Sequence, residues 1–522
     1  MIKNLKNLKS YNKVKTKVCI IGAGTAGIFL SHQLRLNNIP VIILEAGNQV
    51  NQTPKQYKLF CQYKNIYYRG ADLGRSIGLG GTSNLWGGQM IRLSKNEFSP
   101  PTNNGSGHLN NLRRWPIKFK EIEKYYKAVE KIFGLIFYKK KNKNHNIFAK
   151  YFNVRYSTYL SKEKKNFYRF FSAFLNNDDD LTVYTNAPVV HIKNKKENSK
   201  IKKISRIISK NANGNIIDCE AEVVVICAGA LESFKLLSIY DKENKNCITE
   251  TFSGGKLLGK YFSDQFATPC AEFVLENWKK FNSYFSPFYE KKTLNSPRFE
   301  LSPRVNKKNI PNMFFSFAFN SDNSGYIDKL KILLKKKHSK TKLFKFFFKN
   351  CNKIIYDCYN YFINRFIYKR AWFYKSSKML LIVWVEQLPD IRNNLSISKD
   401  KLNFNNTKLI IDWLLRKKDY NFVKPISDIF IKNWNNSKYR EIAYLRKLKH
   451  SFETVYHPTG MIRIGSSSKN SIVNKNLRLW SIKNCYVCST SVFPTPGISN
   501  TGLTLLALSL RLSNHLKNIN KN

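Results

Sequence analysis

The chain has 522 residues, 43% hydrophobic and 14% aromatic. That is core material for two to four domains at about 150 residues each, and it excludes general disorder. The 89 Lys and Arg against 34 Asp and Glu give a formal charge of +55, which raises nucleic acid, an anionic membrane face or a polyanionic substrate as partners. The excess is mostly Lys, accompanies heavy use of Asn and Ile, and runs the whole length of the chain. Drift toward A/T-rich codons leaves that pattern and is the preferred cause, so charge alone assigns no function.

Ten Cys contain one CxxC, Cys485 to Cys488, without a second pair to complete a zinc site. It lies in a strand-like run, where residues three apart point to opposite faces. No metal site is expected, and the cysteine pattern fits a reduced, cytoplasmic protein. No apolar stretch reaches the roughly 18–20 residues that span a bilayer. The first residues, up to Lys17, lack acids, Arg and an apolar signal core, and read as a solvated tail.

Val18-Cys19-Ile20-Ile21 is the first apolar run, as expected of a parallel strand buried on both faces. Gly22-Ala23-Gly24-Thr25-Ala26-Gly27 follows, then a helical pattern from Ile28 to Leu36, and a second strand, Val41 to Leu44, ending on Glu45. This is a βαβ unit with GxGxxG at its first turn. Gly22 permits the tight turn, Gly24 lets backbone approach a pyrophosphate, and Gly27 lets helix and strand close up. The helix start offers free N–H groups to phosphate, and Glu45 is placed to accept from an adenosine ribose. Dinucleotide binding is the expectation.

Gly78 to Gly88 sets five further glycines around Thr82-Ser83 and Trp86, a run able to wrap a flat or phosphorylated ligand. Phe119 to Phe133 reads as a helix stopped by Gly134. Leu181–Tyr184, Val189–Ile192, Ile216–Cys219 and Ala221–Ala228 read as strands, with a helix opening at Leu231 after Gly229. Residues 270–445 are aromatic-rich and irregular. Within them Lys329 to Lys375 has one acid, Asp357, and Ile355, Tyr359, Phe362 and Phe366 recur at helical spacing. The preferred reading of 329–375 is a substrate-domain helix, with peripheral contact on an anionic membrane face as the alternative. Leu380–Glu386, Leu395–Ile397, Lys408–Trp413, Leu477–Leu479 and Cys485–Cys488 read as strands. The long helix Leu503–Leu516 closes the chain.

Seven blocks, GAGTAG…E, GGTSNLWGG, WPIKFKEIEKYYKAVEKIFG, VVVICAGALES, VEQLPDIRNNLSIS, HPTGMIRIG and YVCSTSVFPTPGISNTGLTLLAL, occur in one order between residues 17 and 516. Together they resemble the glucose–methanol–choline (GMC) flavin oxidoreductases, weakly across 270–378. The resemblance implies an α/β fold with a discontinuous, Rossmann-like FAD-binding domain and a second, α+β, sheet-based substrate domain. It implies FAD-binding parts at 15–98, 181–265 and 451–517, the last with the catalytic block. A helical, substrate-side segment would span 99–180 and the substrate domain 266–450.

The implied activity is oxidation of a CH–OH group of an alcohol, with a sugar or glycan hydroxyl expected and the electron acceptor unknown. His457 and Asn500 match the family's catalytic positions. A histidine with an ordinary pKa near about 6.5 can take the hydroxyl proton, while an asparagine holds the substrate oxygen. The implied FAD contacts are Gly22, Gly24, Gly27, Glu45, Gly81, Thr82, Ser83, Asn84, Trp86, Val189, Ala228, Gly229, Ser489, Thr490, Ser491 and Thr504.

Three positions depart from the family pattern. Leu85 stands where some members carry a flavin-linking His, so non-covalent FAD is expected. Ser489 stands where many have Asp, and Asn500-Thr501 replaces an Asn-Pro turn. The alternatives are an NAD-dependent dehydrogenase, or a basic membrane-surface protein keeping a degenerate flavin fold. A nucleic-acid partner is not expected.

Overall fold

The computed structural model describes residues 1–100, 107–137, 148–195, 199–291, 293–302, 305, 310–320, 325–335, 340–373, 378–398 and 407–519. Of the basic segment 329–375, residues 336–339 and 374–375 therefore lie outside the described residues.

The opening βαβ unit forms as its apolar runs require. The strand Tyr11–Ile21, the helix Thr25–Arg35 and the strand Val41–Leu44 follow one another. Val18, Cys19 and Ile20 are fully buried, because the strand lies inside a sheet covered on both faces. Leu181–Thr185 extends this sheet beyond Val41–Leu44, and Ile2–Asn4 forms its edge. On the other side Ile216–Ile226 runs parallel to Tyr11–Ile21 along its length. Ile204–Lys210 and Val189–Asn194 follow as antiparallel strands, and Cys485–Val487 lies parallel beside Val224–Ile226. The C-terminal block thus returns to the sheet that the N-terminus began.

Two expectations are corrected. The first residues are not a solvated tail: Ile2–Asn4 pairs with Val183–Thr185, and Tyr11–Thr16 pairs with Ile216–Ala221. Lys13, Lys15 and Lys17 are exposed while Thr16 is buried and Val14 half-buried. The lysines occupy one face of a strand whose other face packs. Leu477–Leu479 is not a strand; it is held by isolated bridges, Val473 to Leu479 and Arg478 to Tyr486.

The second sheet is antiparallel. Its strands run Ala443–Lys447, Gln265–Leu275, Lys378–Glu386, Met313–Asn320, Thr293–Leu301, Phe152–Tyr159 and Gln89–Met90, in that spatial order. An aromatic core including Phe315, Phe430 and Trp434 packs behind it, distinct from the core of the first sheet. The helix Thr501–Ile519 lies against both Thr25–Arg35 and Phe119–Phe133. Its N-terminal end is thereby set beside the glycine turn, where the functional cavity opens.

Candidate active site

A cavity of about 1240 Å³ lies between the two sheets. Ligand pockets for drug-sized molecules hold roughly 300–1,000 Å³, so this one has room for a dinucleotide and a second molecule. Helices beginning at Thr25, Ala230 and Thr501 present their N-terminal ends to it, since Gly24, Gly229 and Thr501 all line the wall. Three such ends favour negative charge inside.

The glycines form a cradle. A Cβ on Gly22 would stand 2.7 Å from the Cys227 carbonyl oxygen, and one on Gly27 only 2.0 Å from that of Gly22. Turn, helix and the neighbouring strand end can close up only without side chains there. A Cβ on Gly24 meets nothing nearer than Gly81 Cα at 3.9 Å, and one on Gly229 meets nothing within 4 Å. Both keep backbone open to the cavity, as a phosphate-binding turn must. The observed shape fits the dinucleotide that the GxGxxG turn implies.

Of the residues expected at the cofactor, Gly22, Gly24, Glu45, Gly81, Thr82, Trp86, Val189, Ala228, Gly229, Ser489 and Thr490 line the cavity. Gly27, Ser83, Asn84, Ser491 and Thr504 stand outside its lining and brace the wall instead. Ser83 Oγ donates to the Gly80 carbonyl and accepts from Phe167 N–H, and the Asn84 amide donates to the carbonyls of Leu79 and Gly81. Ser491 bonds Ser489, and Thr504 shares a 2.8 Å bond with the Tyr126 hydroxyl. The Trp86 ring packs on the start of the last helix, where a Cβ on Gly502 would meet it at 2.6 Å.

Glu45 is 6% exposed and does structural work. Its carboxylate accepts from the N–H groups of Ala23, Gly47 and Gly78 at 2.7, 2.8 and 3.1 Å. It therefore ties the two glycine loops to the strand end. Burial raises its pKa, and these three N–H groups oppose the rise.

His457 and Asn500 both line the cavity. His457 is held through its backbone: its N–H donates to Asp264 Oδ1 at 2.7 Å, and the preceding Tyr456, at φ +65°, donates to Oδ2. Asp264 also accepts from the Tyr68 hydroxyl at 2.7 Å. Burial raises the Asp264 pKa to about 7. The imidazole Nδ1 lies 3.0 Å from Gln265 Oε1. Gln265 Nε2 donates to the carbonyls of Pro496 and Ser499 at 3.2 and 3.1 Å. The amide cannot turn without facing oxygen to oxygen, so Oε1 is the acceptor and His457 Nδ1 carries the proton. Nε2 is left with its lone pair. Burial, then the charge of Arg298, lowers the His457 pKa to about 4, so the ring is neutral at pH 7.

Asn500 is oriented in the opposite sense. Arg298 Nη1 donates to Asn500 Oδ1 at 3.4 Å, and Arg298 Nη2 donates to the Ile498 carbonyl. With its oxygen taken, the Asn500 amide has its Nδ2–H donors to offer. Arg298 is 1% exposed, stacks 3.4 Å over the Phe314 ring, and lies 3.8 Å from Glu300. Burial lowers its pKa to about 10, so it remains a cation. Glu97 fixes the loop ahead of Asn500, accepting from Ile498 N–H and Ser499 N–H at 2.9 and 3.0 Å. Burial pushes Glu97 upward, but Arg155, the N–H groups of Ser94 and Ile498 and the charge of Arg298 outweigh it and its pKa is lowered.

Gln265, Arg298, Asp264 and Glu97 were not among the residues expected from sequence. One signal was available: Arg298 and Glu300 sit two apart, flanking Phe299, a spacing that in a strand puts both charges on one face. Among the described residues, no group of three or more His, Cys, Asp or Glu could hold a metal ion.

Residues 392–509 match the family described as GMC oxidoreductase. No curated protein matches the sequence significantly. Among solved structures, pyridoxine 4-oxidase from "Mesorbium loti" aligns at TM-score 0.57 and 14% identity, covering 96% of this chain and 99% of that one. A formate oxidase of Aspergillus oryzae RIB40, in a variant made to study FAD modification, aligns at TM-score 0.53 and 14% identity. It covers 97% of this chain and 99% of its own. At such identity the likeness is one of fold.

Proposed function

We propose that this chain, which carries the GMC oxidoreductase C-terminal block on the fold of GMC enzymes, is an FAD-dependent oxidoreductase acting on the CH–OH group of an alcohol. The observation that carries the reading is the complementary pair, one acceptor at His457 Nε2 and one donor at Asn500 Nδ2, in a cavity with a dinucleotide cradle. A hydroxyl needs that pair: its hydrogen is taken by the imidazole while its oxygen is held by the amide. The nearby Arg298 cation favours negative charge on that oxygen. Bound FAD supplies the hydride acceptor.

On this reading the glycine turns, Thr82, Val189, Ala228, Gly229, Ser489 and Thr490 hold the cofactor, with Ser491 bracing Ser489 and Glu45 fixing the two loops around it. The flavin is held without a covalent bond, because Leu85 offers no linking atom. The segments 15–98, 181–265 and 451–517, with residues 1–14 added to their sheet, form the FAD domain, and 266–450, with 99–180 and the strand Gln89–Met90 beside it, the substrate side. The cysteine pattern supports a cytoplasmic setting.

The substrate side of the cavity is walled by Phe314, Phe317, Phe373, Ile382 and Trp384, with hydroxyls from Ser296 and Ser316. Trp384 Nε1 is already donated to Ser316 Oγ at 2.7 Å. Such walls favour an alcohol with an apolar or aromatic body. A sugar or glycan, whose ring face also stacks on aromatics, is the second class to screen. The test is anaerobic titration of the purified yellow protein with alcohols and sugars. Bleaching of the flavin band identifies the substrate, whereas a protein that purifies without flavin and responds to NAD overturns the reading.

A further inference from the structure

The stripe of Ile355, Tyr359, Phe362 and Phe366 forms, as the spacing predicts, along the helix Cys351–Phe362 and the wider turn Ile363–Ile367 that continues it. It faces outward. These four side chains are 59, 63, 56 and 59% exposed, while Ile354, Asp357 and Asn364 are the buried ones. Asp357 accepts from Tyr326 N–H at 2.8 Å, and Asn364 Oδ1 accepts from Asn282 at 3.3 Å. The helix and its continuation thus turn Asp357 and Asn364, beside Ile354, toward the protein and an aromatic stripe away from it, unlike an ordinary amphipathic surface helix.

The preceding helix, Lys340–Lys349, exposes Phe344 and Phe348, their rings 4.5 Å apart. Of the 25 large apolar side chains exposed among the described residues, twelve fall between Leu334 and Tyr368. Scattered singly such residues mean nothing; concentrated in one short stretch they mark an interaction surface. The same stretch, Lys329 to Lys375, has 14 Lys and Arg and a single acid, Asp357, which is buried. Lys345, Lys349, Lys353 and Lys369 of this stretch are exposed, Lys353 with its ammonium 5.0 Å over the Tyr326 ring.

We propose that this face docks in the plane of an anionic lipid surface, the rings entering the interfacial layer and the lysines meeting headgroup charge. No described helix is long and apolar enough to cross a membrane, so the contact is peripheral. A second copy of the chain would bring lysine against lysine, and nucleic acid would leave Leu334, Ile355 and Ile367 without an apolar seat. The docked face continues into the rim of the cavity: Ala371 N–H donates to the Pro287 carbonyl at 2.7 Å, and Pro287 and Phe373 both line the cavity.

The test is co-sedimentation of the full-length protein with phosphatidylcholine vesicles, alone or with about 30% phosphatidylserine. Binding to the anionic vesicles is expected to be at least about tenfold tighter and to weaken with salt. Phe344→Ser with Phe348→Ser, Tyr359→Ser and Phe366→Ser is expected to weaken it about tenfold or more. A second variant, Lys345→Glu with Lys349→Glu, should abolish the preference for anionic lipid and keep the melting temperature of the parent. Absent binding by the parent protein overturns the proposal. So does binding unchanged in both variants, which would assign the attraction to overall charge, or salt-resistant self-association lost with the four serines, which would assign the face to a second copy.

Discussion

Gln265 turns its side-chain carbonyl on His457 Nδ1 at 3.0 Å while two backbone carbonyls, of Pro496 and Ser499, hold its amide nitrogen. Through that geometry the antiparallel sheet decides which nitrogen of a histidine on the C-terminal block keeps its lone pair free. Arg298, three strands away in the same sheet, fixes the amide of Asn500 in the same manner. Neither candidate catalytic residue orients itself.

Replacing His457 by Ala should leave bound flavin intact and slow flavin reduction by substrate about 10²–10⁴-fold, the usual contribution of a positioned base. Anaerobic stopped-flow absorbance measures both quantities. Reduction at the parent rate would remove His457 from the reaction.

The reduction rate should be level through neutral pH and fall only as the pH approaches about 4. Burial and Arg298 place the His457 pKa there, below the ordinary value near about 6.5, and only the neutral ring accepts a proton. The sign carries over to stability. A folded pKa below the unfolded one means that the contribution of this site is complete above about pH 6.5 and is lost as pH falls toward the folded value. A rate limb near 6.5 would show that the ring is solvated.

Gln265→Glu should move that limb upward by at least about one pH unit, because a carboxylate against Nδ1–H favours the imidazolium. Gln265→Leu removes the acceptor and lets the ring take either tautomer; about tenfold slower reduction is expected, with flavin content unchanged. A purely structural Gln265 would alter stability and leave the pH profile in place.

Arg298→Lys keeps the cation and should keep the low limb. Arg298→Met removes it, so the His457 pKa should rise and the limb with it, while Asn500 loses the donor to its Oδ1. Both variants forfeit the planar stacking on Phe314. Equal pH profiles for the two would mean that the charge of Arg298 does not reach the imidazole.

How much of this was legible in the chain follows from the range over which each residue acts. The βαβ unit was readable because strand, turn, helix and strand are contiguous, and each glycine answers a local steric demand such as Gly27 against Gly22. The helix Phe119–Phe133 was readable to the residue, since apolar spacing and Gly134 at φ +62° mark it locally. The pairing of Tyr11–Lys17 was hidden by its lysines, which alternate outward in a strand whose partner is 205 residues away (216 − 11). Gln265 and Arg298 were hidden for a related reason. Their roles arise only where a second sheet approaches the C-terminal loop, and neither carries a local motif. The stripe Ile355 to Phe366 was legible as a stripe, but its period does not say which way it faces.

Gly24→Ala and Gly27→Ala separate the cofactor from the fold. Gly24 has an ordinary backbone, φ −80°, and a Cβ there touches no protein atom closer than 3.9 Å. The methyl group would project into the cavity space assigned to the dinucleotide. Folding stability without flavin should be unchanged, and flavin content should collapse. Gly27→Ala drives its Cβ to 2.0 Å from the Gly22 carbonyl oxygen, so the first turn itself must open, at about 1–3 kcal/mol or more. It should lower the melting temperature of flavin-free protein as well. Absorbance of bound flavin and thermal melting of the stripped protein, read together, check the pair. If Gly24→Ala retains full flavin, the cavity is not the dinucleotide site.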